Sequence, residues 1–381
     1  MAKQAQQPSL QQLLAINGAN RQMLLNTGQE MCKNLITDIQ LAIGRTSRIK
    51  IFNVGVLTKL LLDVTAQVTI GTAIATPSPK APWNLISRVK LTDYDGTDRV
   101  NMSGFQLFML NTARKRMYYS YNNDSATAIY TNPKVPTAIA TDNIQFQLEI
   151  PIAYDVDNPI LQLRDLRGAI MAQTAVGDMY LNIDWTTSLY ANNDVDSVYN
   201  GAATSTVVLA ANGIQTTVFQ YYILPQVVGN QGELPLPQID FMTVYELSGF
   251  LKSSDNLAVG QEKLLNYPNL RQVIRSYFNY TQAATQTAAK IDTFRLIANG
   301  NNTMKEWTER RVLYEIRMAL NGDGVAGAYF FDHVAKPIET AMFGNVQMAI
   351  KPNTVGATPY IEVGYESFFT KGMQLPGVMN Q

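Results

Sequence analysis

The chain has 381 residues, 46% of them apolar and 16% charged, with thirty basic and thirty acidic side chains that cancel. That length favours two domains over one, and the neutral balance argues against nucleic-acid binding driven by overall charge. A single cysteine, Cys32, and a single histidine, His333, exclude an intrachain disulfide framework, leave too few ligands for a structural zinc site and offer one imidazole for hydrolase chemistry. The charged fraction lies below the roughly 25% of an average soluble domain, as expected of a large core or of a surface buried against other subunits. No stretch approaches the roughly 18 apolar residues of a membrane-spanning helix, and Met1-Ala2-Lys3-Gln4 opens without the apolar core of a secretion signal.

Residues 1–45 form a Gln-rich arm. Ser9 and Gln12 match a capping box, and Leu10, Leu13 and Leu14 give one apolar stripe. Leu25, Cys32, Ile36, Ile39 and Ile43 continue at helical spacing, while Ile39, Leu41 and Ile43 equally alternate as a strand. Residues 1–50 carry six basic side chains, Lys3 and Arg21 among them, against Glu30 and Asp38, a net charge of +4. Such an arm suits docking on neighbours or on an anionic layer, with little part in the core behind it.

From Arg48 the period changes to two. Leu60, Leu62, Val64, Ala66, Val68 and Ile70 alternate, as do Ile144 to Ile152 and Met179 to Trp185. Turn clusters such as Thr76-Pro77-Ser78-Pro79 and Tyr121-Asn122-Asn123-Asp124 separate them, and Asn158-Pro159 opens a short helix expected to stop at Gly168. Leu234 to Gly249 reads as a stiff connector with Pro235 and Pro237, then a short helix capped by Asp240, with Phe241, Val244 and Tyr245 on one face and Gly249 at its end. Beyond it Val273, Arg275 and Tyr277 alternate, then Val346 to Ile350 and Ile361 to Tyr365. One helix interrupts, with Thr303 and Glu306 as capping box, Val312, Ile316 and Leu320 as stripe, Glu306 and Arg310 as an outer pair and Asn321-Gly322 as stop. Many short strands with few helices predict an all-β sandwich or jelly roll.

No catalytic set emerges. Asp93-Tyr94-Asp95-Gly96-Thr97 has the spacing of a phosphatase nucleophile and general acid, but its surroundings are β-only and Asp95-Gly96 reads as a hairpin turn. Arg114-Lys115-Arg116 with Tyr118, Tyr119 and Tyr121 mixes bases and aromatics, either for single-stranded nucleic acid or, preferably, as a charged strand end packed on a neighbouring subunit. Gly322 to Gly327 follows a helix, so it is no dinucleotide loop. His333 follows the aromatic run Tyr329-Phe330-Phe331 and is read as structural.

The chain resembles the tectivirus-type double jelly-roll major capsid proteins of membrane-containing icosahedral phages. The resemblance is carried, in order over residues 45–370, by Asn53-Val54-Gly55-Val56, Asn84-Leu85-Ile86-Ser87-Arg88-Val89, Ser103-Gly104-Phe105-Gln106-Leu107 with Asn111-Thr112-Ala113, Ile150-Pro151-Ile152-Ala153-Tyr154, Leu234 to Leu247, Lys336-Pro337-Ile338, Phe343-Gly344-Asn345-Val346, Pro352-Asn353-Thr354-Val355 and Gly364-Tyr365-Glu366. It implies two eight-stranded jelly rolls side by side: an arm over 1–45, a first jelly roll over 46–232, hinge and short helix over 233–250, a second jelly roll over 251–371 and a tail over 372–381. It also implies a pseudo-hexagonal homotrimer that tiles an icosahedral shell around an internal membrane and genome, made in the host cytoplasm and located in the virion. Expected partners are further copies of the chain, minor capsid, penton and membrane proteins, and the internal lipid membrane through Lys3, Leu10, Leu13, Leu14 and Arg21, with no cofactor, no metal and no specific nucleic-acid recognition. Alternatives are a β-sandwich receptor- or glycan-binding spike, or a phosphatase using Asp93 and Asp95.

Overall fold

The computed structural model of the protein describes residues 19, 21–114, 120–121, 130–131, 133–154, 165–192, 194–201, 206–224, 243–253, 257–282, 291–300, 302–320, 327–356 and 359–370. A short helix α1 (21–27) leads into β1 (Gln29–Asn34), β2 (Asp38–Gln40), β3 (Thr46–Ile51), β4 (Val56–Ile70), β5 (Ile86–Thr92) and β6 (Asp98–Met102). Helix α2 (Gly104–Ala113) follows, then β7 (Ser120–Tyr121), β8 (Tyr130–Thr131), β9 (Thr141–Pro151), β10 (Ile170–Met171), β11 (Met179–Trp185) and β12 (Val207–Leu224). The second half contains β13 (Thr243–Ser253), β14 (Lys263–Asn266), β15 (Gln272–Gln282), β16 (Ile291–Ala298), β17 (Asn302–Thr308), helix α3 (Glu309–Leu320), β18 (Ala328–Asp332), β19 (Ile338–Glu339), β20 (Val346–Pro352) and β21 (Pro359–Thr370).

Strand order identifies both halves as jelly rolls. Let β1, β3, β4, β5, β6, β9, β11 and β12 be strands one to eight of the first half. Its sheets then run β1-β12-β4-β9 and β3-β11-β5-β6, the orders 1-8-3-6 and 2-7-4-5. Counting β13 to β18, β20 and β21 in the same way, the second half gives β13-β21-β15-β18 and β14-β20-β16-β17, the same two orders. Each half is a sandwich closed by strands that cross between sheets. Period two builds the cores: along β4 the residues Leu60, Leu62, Val64, Ala66, Val68 and Ile70 are buried while Leu61, Asp63 and Thr65 between them are half-exposed. One cluster centres on β4, β5, β9 and β11, a second on Phe278, Phe294, Phe331, Met348 and Tyr365. The halves also share a sheet, because β13 pairs in parallel with β6 through Leu247 opposite Val100 and Ser248 opposite Asn101.

Three expectations are corrected. Residues 243–249 are strand rather than helix. Val244, Tyr245 and Leu247 are all buried because both faces of β13 are covered, and a strand buried on both faces mimics helical spacing. Pro235, Pro237, Asp240 and Phe241 lie outside the described residues. Second, Thr303 and Glu306 cap nothing. They belong to β17, an outer strand on which Trp307 is the buried residue, and its ladder with β16 overrides the local capping signal. Helix α3 begins at Glu309; Val312 and Ile316 face the core as expected, and Arg311 pairs with Glu315 at 3.0 Å on its outer face. Asn321 and Gly322 lie outside the described residues, as do residues 155–164, where the helix after Asn158-Pro159 was expected. Third, the arm contributes to the core. Leu24 and Leu25 bury against Val56, Ala153, Leu166, Ala169, Met171 and Ile223, and Leu35 joins the main core. β1 pairs with β12 from Gln29 opposite Leu224 to Asn34 opposite Phe219. The first jelly roll therefore begins at Gln29, not at residue 46, and the second begins at Thr243, not at residue 251.

Candidate functional site, the seam between the halves

The segment Gly104-Phe-Gln-Leu-Phe-Met-Leu-Asn-Thr-Ala113 is apolar on every side, the pattern of a helix with no solvent face. Residues 104–111 are all buried. Ser103 caps the helix: its Oγ accepts from the Gln106 backbone N–H at 3.1 Å, and Gln106 Oε1 accepts from the Ser103 N–H at 3.0 Å. The Gln106 amide also reaches into the second half, where Nε2 donates to the Val363 carbonyl at 3.1 Å. A Cβ on Gly249 would stand 2.3 Å from Gln106 Oε1, so any larger residue on this strand of the second half would push the Gln106 amide out of the cap.

At the far end of α2, Arg114 turns inward rather than toward a surface patch. Its Nη1 donates to the Tyr245 hydroxyl at 2.9 Å and its Nη2 to the Tyr154 carbonyl. Tyr245 donates to Glu366 at 2.6 Å, Tyr277 donates to the same carboxylate at 2.8 Å, and Arg275 Nη1 lies 2.9 Å from both of its oxygens. Glu366 is fully buried. Burial alone would raise its carboxyl, but Arg275 and then Arg114 outweigh that cost, and with the Tyr245 hydrogen bond they hold it below its ordinary value. A second ionic knot lies 4 positions back on the same face of β21. Lys80 of the first half sits 3.0 Å from Glu362 of the second and 3.0 Å from Asp196 of the first, with its own side chain 2% exposed. Such pairs hold two elements in one relation because separating them strands a buried charge.

Chain parity explains how these groups arrive. A register shift between Val273 and Arg275 of β15 moves Val273 into the second core while Arg275 and Tyr277 face the seam, so the three do not share one face as their alternation suggests. On β21, Ile361, Val363 and Tyr365 face the second core and Glu362 and Glu366 alternate with them toward the first half. Reading the sequence for catalysis passed over Lys80, Gln106, Asp196, Glu362 and Glu366. The usable signal was two glutamates four apart in an otherwise apolar, aromatic strand.

The residues singled out from sequence fall elsewhere. Lys3, Leu10, Leu13 and Leu14 lie outside the described residues, and Arg21 stands half-exposed on α1. Asp93 and Asp95 form the expected turn: Asp93 N–H donates to the Thr97 carbonyl at 2.9 Å, Asp93 Oδ1 accepts from Asp95 N–H at 2.9 Å, and Gly96 adopts φ of +85°. The strands they join, β5 and β6, are antiparallel, and the Asp93 carboxylate is engaged by Arg99 at 2.7 Å. His333 is buried; its backbone N–H donates to the Ile274 carbonyl at 2.8 Å, and burial, helped by Lys305, pushes its imidazole down to about 4. Lys115 to Tyr119 and Gly322 to Ala326 lie outside the described residues. Among the described residues no group of three or more His, Cys, Asp or Glu could hold a metal ion.

A family model described as P3 major capsid protein N-terminal matches residues 1–225, and one described as P3 major capsid protein C-terminal matches residues 242–377. The interval between them coincides with the connection from β12 to β13. Major capsid protein P3 of Enterobacteria phage PRD1 is 26% identical over 387 residues, an alignment covering 96% of this chain and 95% of that protein. Solved structures share the fold. The STIV MCP superposes with a TM-score of 0.64 at 14% identity over 90% of this chain and 98% of that one. The major capsid protein P2 of bacteriophage PM2 gives 0.52 at 12% identity over 91% and 100%. These relatives are structural proteins of virions, so the chain is a capsid component and not an enzyme, and both the phosphatase and the spike readings fall. The chain belongs to the P3 major capsid protein family.

Proposed function

We propose that three copies of this chain form a homotrimer whose six jelly rolls make a pseudo-hexagonal tile, and that these tiles form an icosahedral shell around an internal membrane. The observation that carries this reading is a topological equivalence. Helix α2 follows strand five of the first half, β6, and helix α3 follows strand five of the second, β17. Helix α2 is buried over residues 104–111 between the strands of its own half and the second half's 1-8-3-6 sheet, sharing a core with Tyr245, Leu247 and Tyr277 and bonding to Val363 through Gln106. Helix α3 has the same place in its own half, yet it leaves Tyr314 at 63% and Met318 at 66% exposure, beside the exposed Arg310 and Arg317. Repeating the internal contact between chains sets α3 and β17 of one copy against the β1-β12-β4-β9 sheet of the next, whose outer face offers the half-exposed Lys59, Leu61, Asp63 and Tyr221. Repeated head to tail, a contact of this kind closes into a ring, and obligate interfaces of this type bury about 2,000 Å² or more.

In this reading the segment before Arg21 works between tiles and at the inner surface. Leu10, Leu13 and Leu14 pack on neighbours, and Lys3 and Arg21 face anionic headgroups, each basic residue contributing about 1 kcal/mol. Minor capsid, penton and membrane proteins complete the shell. Sedimentation of the purified protein tests the tile: trimer is expected at micromolar concentration, and Met318→Asp is expected to give a folded monomer. A wild-type protein that sediments only as monomer overturns the reading.

A further inference from the structure

The lysine knot contains more than an ion pair. Lys80 Nζ lies 3.0 Å from Asp196 Oδ1, 3.0 Å from Glu362 Oε1 and 2.8 Å from the Tyr360 hydroxyl. The Tyr360 hydroxyl in turn donates to Asp196 Oδ1 at 2.6 Å. The rings of Tyr360 and Phe105 stand 4.8 and 5.7 Å from the Nζ. Asn279 fixes the other oxygen of Glu362 from 3.0 Å. The loop bearing Asp196 is held from both sides: Asp194 accepts from the Asp196 N–H at 2.9 Å, and Asn84 donates to the Ser197 carbonyl at 2.7 Å. An amine, a carboxyl carbon beside it, a second carboxylate and a hydroxyl on the acceptor oxygen are thus assembled in a largely dry, aromatic site.

From this geometry we propose that Lys80 and Asp196 condense into an intramolecular isopeptide bond, with Glu362 relaying the protons. Glu362 takes a proton from the Lys80 ammonium, and the freed amine attacks Asp196 Cγ. The Tyr360 hydroxyl supports the charge that develops on Oδ1. The Nζ–Cγ bond forms, the other C–O bond of Asp196 breaks, and that oxygen leaves as water carrying the two protons lost from nitrogen. Ammonium plus carboxylate become amide plus water, so no oxidant or co-reactant is needed. Two effects drive the step. Holding Lys80 Nζ 3.0 Å from Asp196 Oδ1, beside the carboxyl carbon, replaces an encounter with an intramolecular reaction. Burial also penalises the ion pair and not the neutral amide that replaces it. The Asp196 side chain is 32% exposed, which gives the released water an exit. Because Glu362 arrives on β21, the last strand of the second half, the link within the first half forms only after the halves have docked.

The intact mass of the purified full-length protein tests this. The expected value is about 18 Da below the sequence mass, one water, with trypsin no longer cleaving after Lys80 and tandem mass spectra joining the peptides that contain residues 80 and 196. Asp196→Asn should lose about 17 Da from its own sequence mass, since ammonia leaves instead. Lys80→Arg and Glu362→Gln should run at full mass. Wild-type protein that stays at full sequence mass after prolonged incubation, with cleavage at Lys80 intact, overturns the proposal, and so does a link found on Glu362 instead. The wild-type mass decides even if a variant fails to fold.

Discussion

Replacing Glu366 with Gln keeps the size of the side chain and removes one charge from the middle of the seam. In the native protein that carboxylate accepts from Arg275, Tyr245 and Tyr277 and offsets the nearby Arg114. After the change a neutral amide oxygen can still accept from Arg275, but the one carboxylate left among the described residues to pair with it is Asp332, at 3.4 Å and half-exposed to water. Such a pair contributes under about 1 kcal/mol, so it cannot replace Glu366. Stranding a buried guanidinium costs about 3–5 kcal/mol. With an m-value of about 3 kcal/mol/M, even the lower figure moves a urea midpoint by about 1 M. Tryptophan fluorescence follows both halves, since Trp83 stacks on Phe108 of α2 at 3.5 Å and Trp307 belongs to the second core. The companion double variant Arg275→Met with Glu366→Gln should lose at least 1 kcal/mol less than the two single losses added together. A shift under 1 kcal/mol for Glu366→Gln, or strict additivity in the cycle, would refute the idea that this carboxylate locks the halves.

Three further outcomes are expected. His333 is held neutral by burial, with its imidazole at about 4 against 6.5 in the unfolded chain, so the unfolded state binds the extra proton between those values. Stability should be flat above pH 6.5 and fall by about 2 kcal/mol on going to pH 5; urea midpoints at the two pH values measure it, and His333→Phe should flatten the difference. Deleting residues 2–18 should leave melting unchanged and spoil shell yield, whereas deleting 2–40 removes β1 and the buried Leu24, Leu25 and Leu35, each contributing about 1.5–3 kcal/mol, and should abolish folding of the first half in a thermal scan. In the β5–β6 turn, Asp95→Asn should change stability by under about 0.5 kcal/mol, while Gly96→Val should lose about 1–2 kcal/mol by calorimetry through its φ of +85° alone, because nothing lies within 4 Å of the new Cβ.

The sequence was most legible where one face of a strand meets a core and the other meets water. β4, β9 and β11 are read directly from their alternation because water and core impose opposite demands on neighbouring residues. It was least legible where both faces are covered. Val244, Tyr245 and Leu247 mimic a helix because β13 packs against material on either side, and the register shift after Val273 reverses a face that alternation alone would continue. β1 escaped for a different reason. Its residues Gln29 to Asn34 are largely exposed, so it belongs to the first sheet through its backbone ladder with β12, which leaves little trace in side-chain polarity. The seam was invisible as a site because its members lie far apart in the chain, Lys80 with Glu362 and Arg114 with Glu366; only the fold brings them together.

The parallel pairing of β13 with β6 makes one sheet run through both halves. Mechanically, the boundary between the two sequence families is therefore not a joint. Flexing there would shear backbone hydrogen bonds and pull buried ions apart at once, so a subunit responds to load as a single stiff plate. A closed shell still has to bend from facet to facet and around its vertices. In the proposed shell that compliance falls where plates meet, and mutations that soften the shell should map to those borders and not to the middle of a subunit.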